Sequence, residues 1–278
     1  MKTQTTIKKR VDVQGRGLHG GKPVKIEFSP AKKNSGITVK NNGESYRLGP
    51  DKVFSTKRGT SIRHGRSVIH TVEHLVSAVR GMGIDNVAVD ISGNEAPALD
   101  GSAFLFVNAL KKAGTQKISA PKKQLLLRNP VVLSGKGCWM AVLPFNGFKV
   151  RYFSDFSDHG IPADDCSIKI TPQSYEKEIS KARTFGFKSE LKWLMAAGLI
   201  KGASLENAVL IDKGKPVKTK LRYKNELTRH KVLDIIGDFG LINAELNMLV
   251  IAVKTGHEMN IKTVNKILSN NSWLKSNN

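Results

Sequence analysis

Cysteine is nearly absent. Two occur in 278 residues, Cys138 and Cys166, and neither belongs to a C-x-x-C pair. That excludes a disulfide framework and zinc-finger spacing, and it favours a reducing compartment. Long apolar runs are missing too, and none approaches the roughly 18 residues a spanning helix needs. The opening stretch, MKTQTTIKKRVDVQG, lacks the apolar core of a secretory signal, so a cytoplasmic protein is expected. Aromatic residues reach only 6%, and acidic residues are outnumbered 23 to 45 by Lys and Arg.

What is present bounds the rest. The hydrophobic share of 40% supports a packed core and excludes global disorder. The length fits one large domain or two smaller ones. A net charge of +22 predicts attraction to nucleic acid, anionic lipid headgroups or phosphorylated substrates. It is equally the mark of a merely solvated, Lys-rich surface. A basic nucleic-acid-binding module is the competing class. Scattered basic residues and few aromatics for base stacking argue against it, and no nucleic-acid partner is expected.

Along the chain, Val11 and Val13, then Val24, Ile26 and Phe28, alternate with polar residues as strands do, with GRGLHGG (15–21) as the turn between them. Residues 37–39 suggest another short strand. In HTVEHLVSAVRGMG (70–83), Val72, Leu75, Val76 and Val79 follow helical spacing, with Thr71 as N-cap. A strand over 86–91 and a helix over 103–113 follow. Polar residues 116–123, including Pro121, read as a linker. Strands over 124–127, 139–143 and 148–154 come next. Then come a helix near 175–181, the apolar stretch LKWLMAAGLI, a helix over 229–246, a strand over 248–255 and a helix over 261–268. The expected class is α+β, with two units of similar layout, 1–118 and 119–278.

His230 and Asp234 lie four apart in HKVLD, so one helix sets both on the same face. His74, in TVEHL, comes from the other half. Two imidazoles and one carboxylate with an open fourth position make a catalytic zinc set. Taken singly, each is as readily a surface polar residue or a core histidine. Glu73 stands about 100° from His74 on a helix, beside a metal rather than on it, which suits a general base; the alternative is a helix-start glutamate favoured by the dipole. Asp238 lies eight residues after His230, on roughly the same face, and is placed to orient another histidine. His257, in the loop TGHEMN, is the candidate.

These residues sit within longer strings: GRGLHGG, TVEHLVSAVRGMGIDN, NEAPALDGSA, ARTFGF, GLIKGASLENAV, LRYKNELTRHKVLDIIGD and TGHEMN. In this order and over residues 5 to 268, they resemble the UDP-3-O-acyl-N-acetylglucosamine deacetylase family. The resemblance implies two domains, each a sheet with a pair of helices, the helices sandwiched between the sheets and each domain carrying a small insert. It implies hydrolysis of the 2-acetamido group of a UDP-linked acylated glucosamine in the committed step of lipid A synthesis. It implies one Zn²⁺ on His74, His230 and Asp234, with Fe²⁺ as a competing ion. Glu73 would be the base, His257 the acid and Asp238 its orienting partner. Thr184 would donate to the oxyanion, and Lys231 and Phe185 would touch substrate. An insert at about 185–215 would form an acyl passage lined by Leu191, Ile200, Leu205, Ala208 and Leu210.

Two departures bear on nucleotide binding. Cys138 stands before Trp139 where the family commonly has Lys, leaving Lys136 as the candidate phosphate contact. In DFSDHGIP, Phe156 is the candidate to stack on uracil. The substrate's diphosphate and acyl chain give the basic charge a reading as peripheral contact with an anionic inner membrane. A monomer is expected. A zinc amidase acting on another acylated sugar is the remaining alternative.

Overall fold

The computed structural model describes residues 2–269 and 273–275. The first half runs β1 (Thr3–Ile7), β2 (Val11–Arg16), β3 (Pro23–Pro30), β4 (Ile37–Asn41), β5 (Glu44–Arg47), β6 (Val53–Ser55), β7 (Ser61–His64), β8 (Ser67–Ile69), α1 (Glu73–Gly81), β9 (Val87–Ile91), α2 (Phe104–Ala113) and β10 (Thr115–Pro121). Its main sheet has the order β2-β3-β9-β4-β5, parallel only between β9 and β4. The second half runs β11 (Gln124–Leu127), β12 (Val131–Gly135), β13 (Cys138–Pro144), β14 (Phe148–Phe156), β15 (Ile161–Lys169), α3 (Pro172–Ser174), β16 (Phe185–Phe187), α4 (Leu191–Ala196), β17 (Val209–Asp212), β18 (Lys215–Pro216), α5 (Glu226–Gly240), β19 (Glu245–Val253), α6 (His257–Ser269) and β20 (Trp273–Lys275). Its five main strands run β12-β13-β19-β14-β15, again parallel only between β19 and β14. Strands β11 and β20 extend this sheet beside the start of β19.

The halves thus repeat one topology. Each builds four strands, then a small three-stranded insert (β6-β7-β8 or β16-β17-β18), a helix, a central strand and a second helix. The similar layout expected from the element order is present in the backbone, although no residue-level repeat shows in the sequence.

Local pattern explains the layers. In β3, Val24, Ile26 and Phe28 point inward, with Lys25 exposed and Glu27 half-buried. In α1 eight of nine residues are buried, and in α5 thirteen of fifteen, so both lie inside the molecule rather than on a surface. Helix α5 packs on β14 and β15 and α6 on β12 and β13, while α2 packs on β2 and α1 contacts both α2 and α5. Gly237 permits the crossing of α1 and α5: a Cβ there would lie 2.2 Å from the carbonyl oxygen of Glu73.

Several expected boundaries are corrected. The polar 116–123 stretch is no linker. It is mostly β10, paired antiparallel with β1 across the expected boundary at 118. Only Ala120 of β10 is buried, so a ribbon held by backbone bonds needs few apolar side chains. Within GRGLHGG, Gly15 and Arg16 belong to β2. Thr71 does not cap α1. It has φ 58°, and the helix entry is tied down instead by Val72 N–H donating to Thr60 O at 3.1 Å. The helix near 175–181 is a π-helical turn over Tyr175–Ile179. The helix expected over 229–246 ends at Gly240, and that expected over 261–268 begins at His257.

Candidate metal centre

Helix α5 carries His230 and Asp234 one turn apart, and α1 carries His74 at its second position. At the crossing of the two helices these side chains converge. One ligand atom from each lies within 4.8 Å of the others, and all three residues are buried. His230 Nε2 is 3.4 Å and His74 Nε2 3.8 Å from Asp234 Oδ1. The His230 ring is oriented by its Nδ1, 3.1 Å from the Ala182 carbonyl, which leaves Nε2 for the centre. Asp234 Oδ2 accepts from Lys231 Nζ at 2.7 Å, whereas Oδ1 is buried without a hydrogen-bond partner. A buried orphan acceptor is costly unless a cation or donor meets it. Two imidazole nitrogens and that oxygen form a donor set that fits a divalent ion such as zinc.

Charge states agree with the geometry. Burial drives His74 down to about 3, helped by nearby His230, and burial likewise lowers His230; neutral imidazoles are the ligating form. Burial alone would raise Asp234, but His230, Lys231, His257 and His74 outweigh it and hold the carboxylate well below its usual range. Burial opposes the Lys231 charge too, and Asp234 overcomes that and raises its pKa.

Glu73, first in α1, is 3% exposed rather than a solvated helix start. Its Oε2 accepts from the Thr60 backbone N–H at 2.8 Å, and its Oε1 is 3.8 Å from His257 Nε2. Burial pushes Glu73 up to about 7, with His257 pulling against it and Asp234 and Asp238 adding to it. His257, first in α6, has Nε2 3.8 Å from Asp234 Oδ2 and Nδ1 2.9 Å from Asp238 Oδ2. Burial disfavours its charge, but Asp238, Asp234 and Glu73 together raise it to about 10. Asp238 is fully buried and also accepts from Asn260 Nδ2 at 2.8 Å.

A cavity of about 720 Å³ opens over this cluster. Glu73, His74, His230, Lys231, Asp234 and His257 form its chemical wall, and Thr184, Phe185, Phe156 and Lys136 also line it. Phe185 sits edge-on to His230 at 6.0 Å, with Lys231 Nζ 5.7 Å from its centre and Phe156 packed against it at 5.3 Å. Thr184 is anchored by its N–H to the Gly101 carbonyl at 2.7 Å. Cys138 lines the cavity near Lys136. Leu191 opens α4, Leu210 lies in β17, and Ile200, Leu205 and Ala208 fall between them; none of the five lines this cavity.

One residue of the cluster escaped the sequence reading. Thr60, fully buried beside β7, donates its N–H to Glu73 and its hydroxyl to Asp238 Oδ1 at 2.5 Å. Its Oγ1 is also 3.3 Å from His257 Nδ1. It thereby touches Glu73, Asp238 and His257, which flank the candidate metal ligands, and no local spacing announces it.

Residues 4–269 match the family described as UDP-3-O-acyl N-acetylglycosamine deacetylase. The chain belongs to this family. Among relatives named UDP-3-O-acyl-N-acetylglucosamine deacetylase, one from Teredinibacter turnerae is 39% identical over 273 residues, covering 95% of this chain and 90% of that protein. One from Oleidesulfovibrio alaskensis is 38% identical over 262 residues, covering 92% and 86%. One from Campylobacter hominis is 36% identical over 269 residues, covering 96% and 92%. The deacetylase family acts through a bound metal, and among the described residues His74, His230 and Asp234 form a group that could hold one.

Proposed function

We propose that this deacetylase removes the acetyl group from the 2-amino position of UDP-3-O-(3-hydroxyacyl)-N-acetylglucosamine, releasing acetate in the committed step of lipid A biosynthesis. The observation that carries the reading is the convergence of His74 Nε2, His230 Nε2 and the unpartnered Asp234 Oδ1 beside Glu73 and His257. The proposed ion is Zn²⁺, with Fe²⁺ able to compete for the same donors. When bound, it would supply Lewis acidity, activating water toward a pKa of about 7 and polarising the amide carbonyl.

The chain's own groups divide the remaining work. Glu73 takes the proton of the attacking water; burial keeps its affinity for that proton high. The Thr184 hydroxyl faces the carbonyl oxygen as negative charge develops, a contribution of about 3 kcal/mol for one such donor. An amine leaves poorly unless protonated, so His257, held as the cation by Asp238, gives its Nε2 proton to the nitrogen as the C–N bond breaks. Water thus adds across the amide to give acetate and the free amine. Lys231 fixes Asp234 and offers its charge to the substrate, while Phe185 contacts the sugar.

Beyond the centre, Lys136 is the proposed diphosphate contact and Phe156 the proposed uracil partner. Leu191, Ile200, Leu205, Ala208 and Leu210 are the proposed acyl passage. Their support is that the second insert borders the cavity through Phe185, Phe187 and Glu190. One chain supplies every catalytic group, which supports a monomer. Two free cysteines support a cytoplasmic setting, and the +22 charge supports peripheral contact with the anionic inner membrane.

The deciding assay follows acetate release from the UDP-sugar substrate by metal-free protein, zinc-restored protein and Glu73→Ala. Turnover is expected in zinc-restored wild type alone, with Glu73→Ala retaining bound zinc. Full activity in chelated protein would overturn the reading.

A further inference from the structure

The two inserts belong to different halves of the chain, yet they meet on one face. Arg58, between β6 and β7, places Nη1 3.1 Å from Glu190 Oε2, and its guanidinium carbon lies 5.3 Å from the Trp193 ring centre. Trp193 and its neighbour Met195 on α4 are 58% and 68% exposed, among the most exposed large apolar side chains of the described residues. Lys57 and Lys192 are exposed beside them in sequence. Arg58 and Glu190 both line the cavity over the metal cluster, so that cavity opens where the inserts meet.

Leu194 between them is buried, so Trp193 and Met195 project from the two flanks of α4, and water is a poor surrounding for both. At a lipid headgroup layer the same pair buries apolar area while flanking cations meet phosphate. Each such cation is drawn to an anionic surface, and the +22 net charge steers the chain there.

We propose that this shared face of the two inserts docks on an anionic lipid surface, with Trp193 and Met195 at headgroup level and Lys57, Arg58 and Lys192 against lipid phosphates. This rests on the peripheral membrane contact stated above and assigns it to one place. The consequence is positional: the mouth of the cavity faces the layer into which an acyl chain partitions.

The test is flotation of the intact, zinc-loaded protein with vesicles of phosphatidylglycerol and phosphatidylcholine, beside vesicles of phosphatidylcholine alone. Wild type is expected on the anionic vesicles only, and brominated lipid is expected to quench fluorescence that Trp193→Phe no longer shows. Trp193→Ala with Met195→Ser, and separately Lys57→Glu with Lys192→Glu, should each reduce the bound fraction about tenfold. Lys149→Glu with Lys169→Glu, on β14 and β15 of the second sheet, should bind as wild type does. Deacetylation of a short-acyl, water-soluble substrate at wild-type rate shows that the Trp193/Met195 variant is folded. If the β14/β15 variant loses as much binding as the insert variants, the assignment to this face fails while membrane contact stands. If wild type ignores anionic vesicles at low salt, both fail.

Discussion

The two halves share one strand order and one pattern of strand senses, but not one chemistry. Helix α1 and helix α5 occupy the same place in their halves, each preceding the central strand. The first offers Glu73 and His74 at its opening turn; the second offers His230, Asp234 and Asp238 along its length. The helices that follow differ as well: α6 begins with His257, α2 with Phe104. A repeated scaffold therefore supplies the crossing, and unequal side chains turn it into a site. Neither half alone holds a complete metal set.

That asymmetry can be broken at graded cost. The largest effect is expected from Asp234→Asn, which keeps the shape and removes the charge: zinc measured by metal analysis should fall well below one per chain, and turnover should drop by more than about 10³-fold. Next come the flanking groups, each worth about 10²–10⁴-fold in kcat with zinc retained. In the proposed roles, Glu73 would act as a base above about 7 and His257 as an acid below about 10. The pH profile of kcat/KM should rise through the first and fall through the second. Glu73→Gln should erase the rising limb, and His257→Gln the falling one.

Smaller losses test how the halves are joined. Gly237→Ala sets a methyl against the Glu73 carbonyl at the helix crossing, so urea unfolding should show destabilisation of about 1–3 kcal/mol together with lower zinc affinity. Thr60→Val keeps the backbone donor to Glu73 but deletes the hydroxyl to Asp238. A roughly tenfold fall in kcat with little change in KM is expected, and Thr60→Ser should restore it. The smallest effect belongs to Phe104→Ala, at the position matching His257: zinc content and kcat should stay at wild-type levels. A large loss of zinc there would contradict the division of labour between the halves.

Legibility in the sequence followed the range of the contacts. His230, Asp234 and Asp238 share one helix, so their spacing alone aligns them, and Glu73 with His74 needed only the start of another. Joining His74 to the pair on the other helix rests on ligand chemistry and not on spacing, because nothing local ties residue 74 to residue 230; the family resemblance strengthens it. Thr60 was invisible for the same reason: it reaches Asp238 across 178 positions, and half of its contribution is a backbone N–H that any residue type carries. Strand β15, IPADDCSIK, was missed because a strand with one largely exposed side reads as a polar loop. The sequence reads His257 as part of a loop, TGHEMN, whereas α6 starts at His257 itself.

The second insert rests on the second half through a small apolar cluster apart from the main core, in which Phe187, Val209 and Ile211 pack on Leu227 of α5, with Phe156 and Ile161 beside them. A segment seated on so few side chains can be exchanged as a cassette if that seat is kept. If the proposed acyl passage is right, chimaeras that import residues 188–216 from a relative, keeping Phe185 beside His230, should change which chain lengths are accepted and leave the hydrolytic centre at the helix crossing untouched. Selection on the enzyme can then retune what it admits without re-solving how it cleaves.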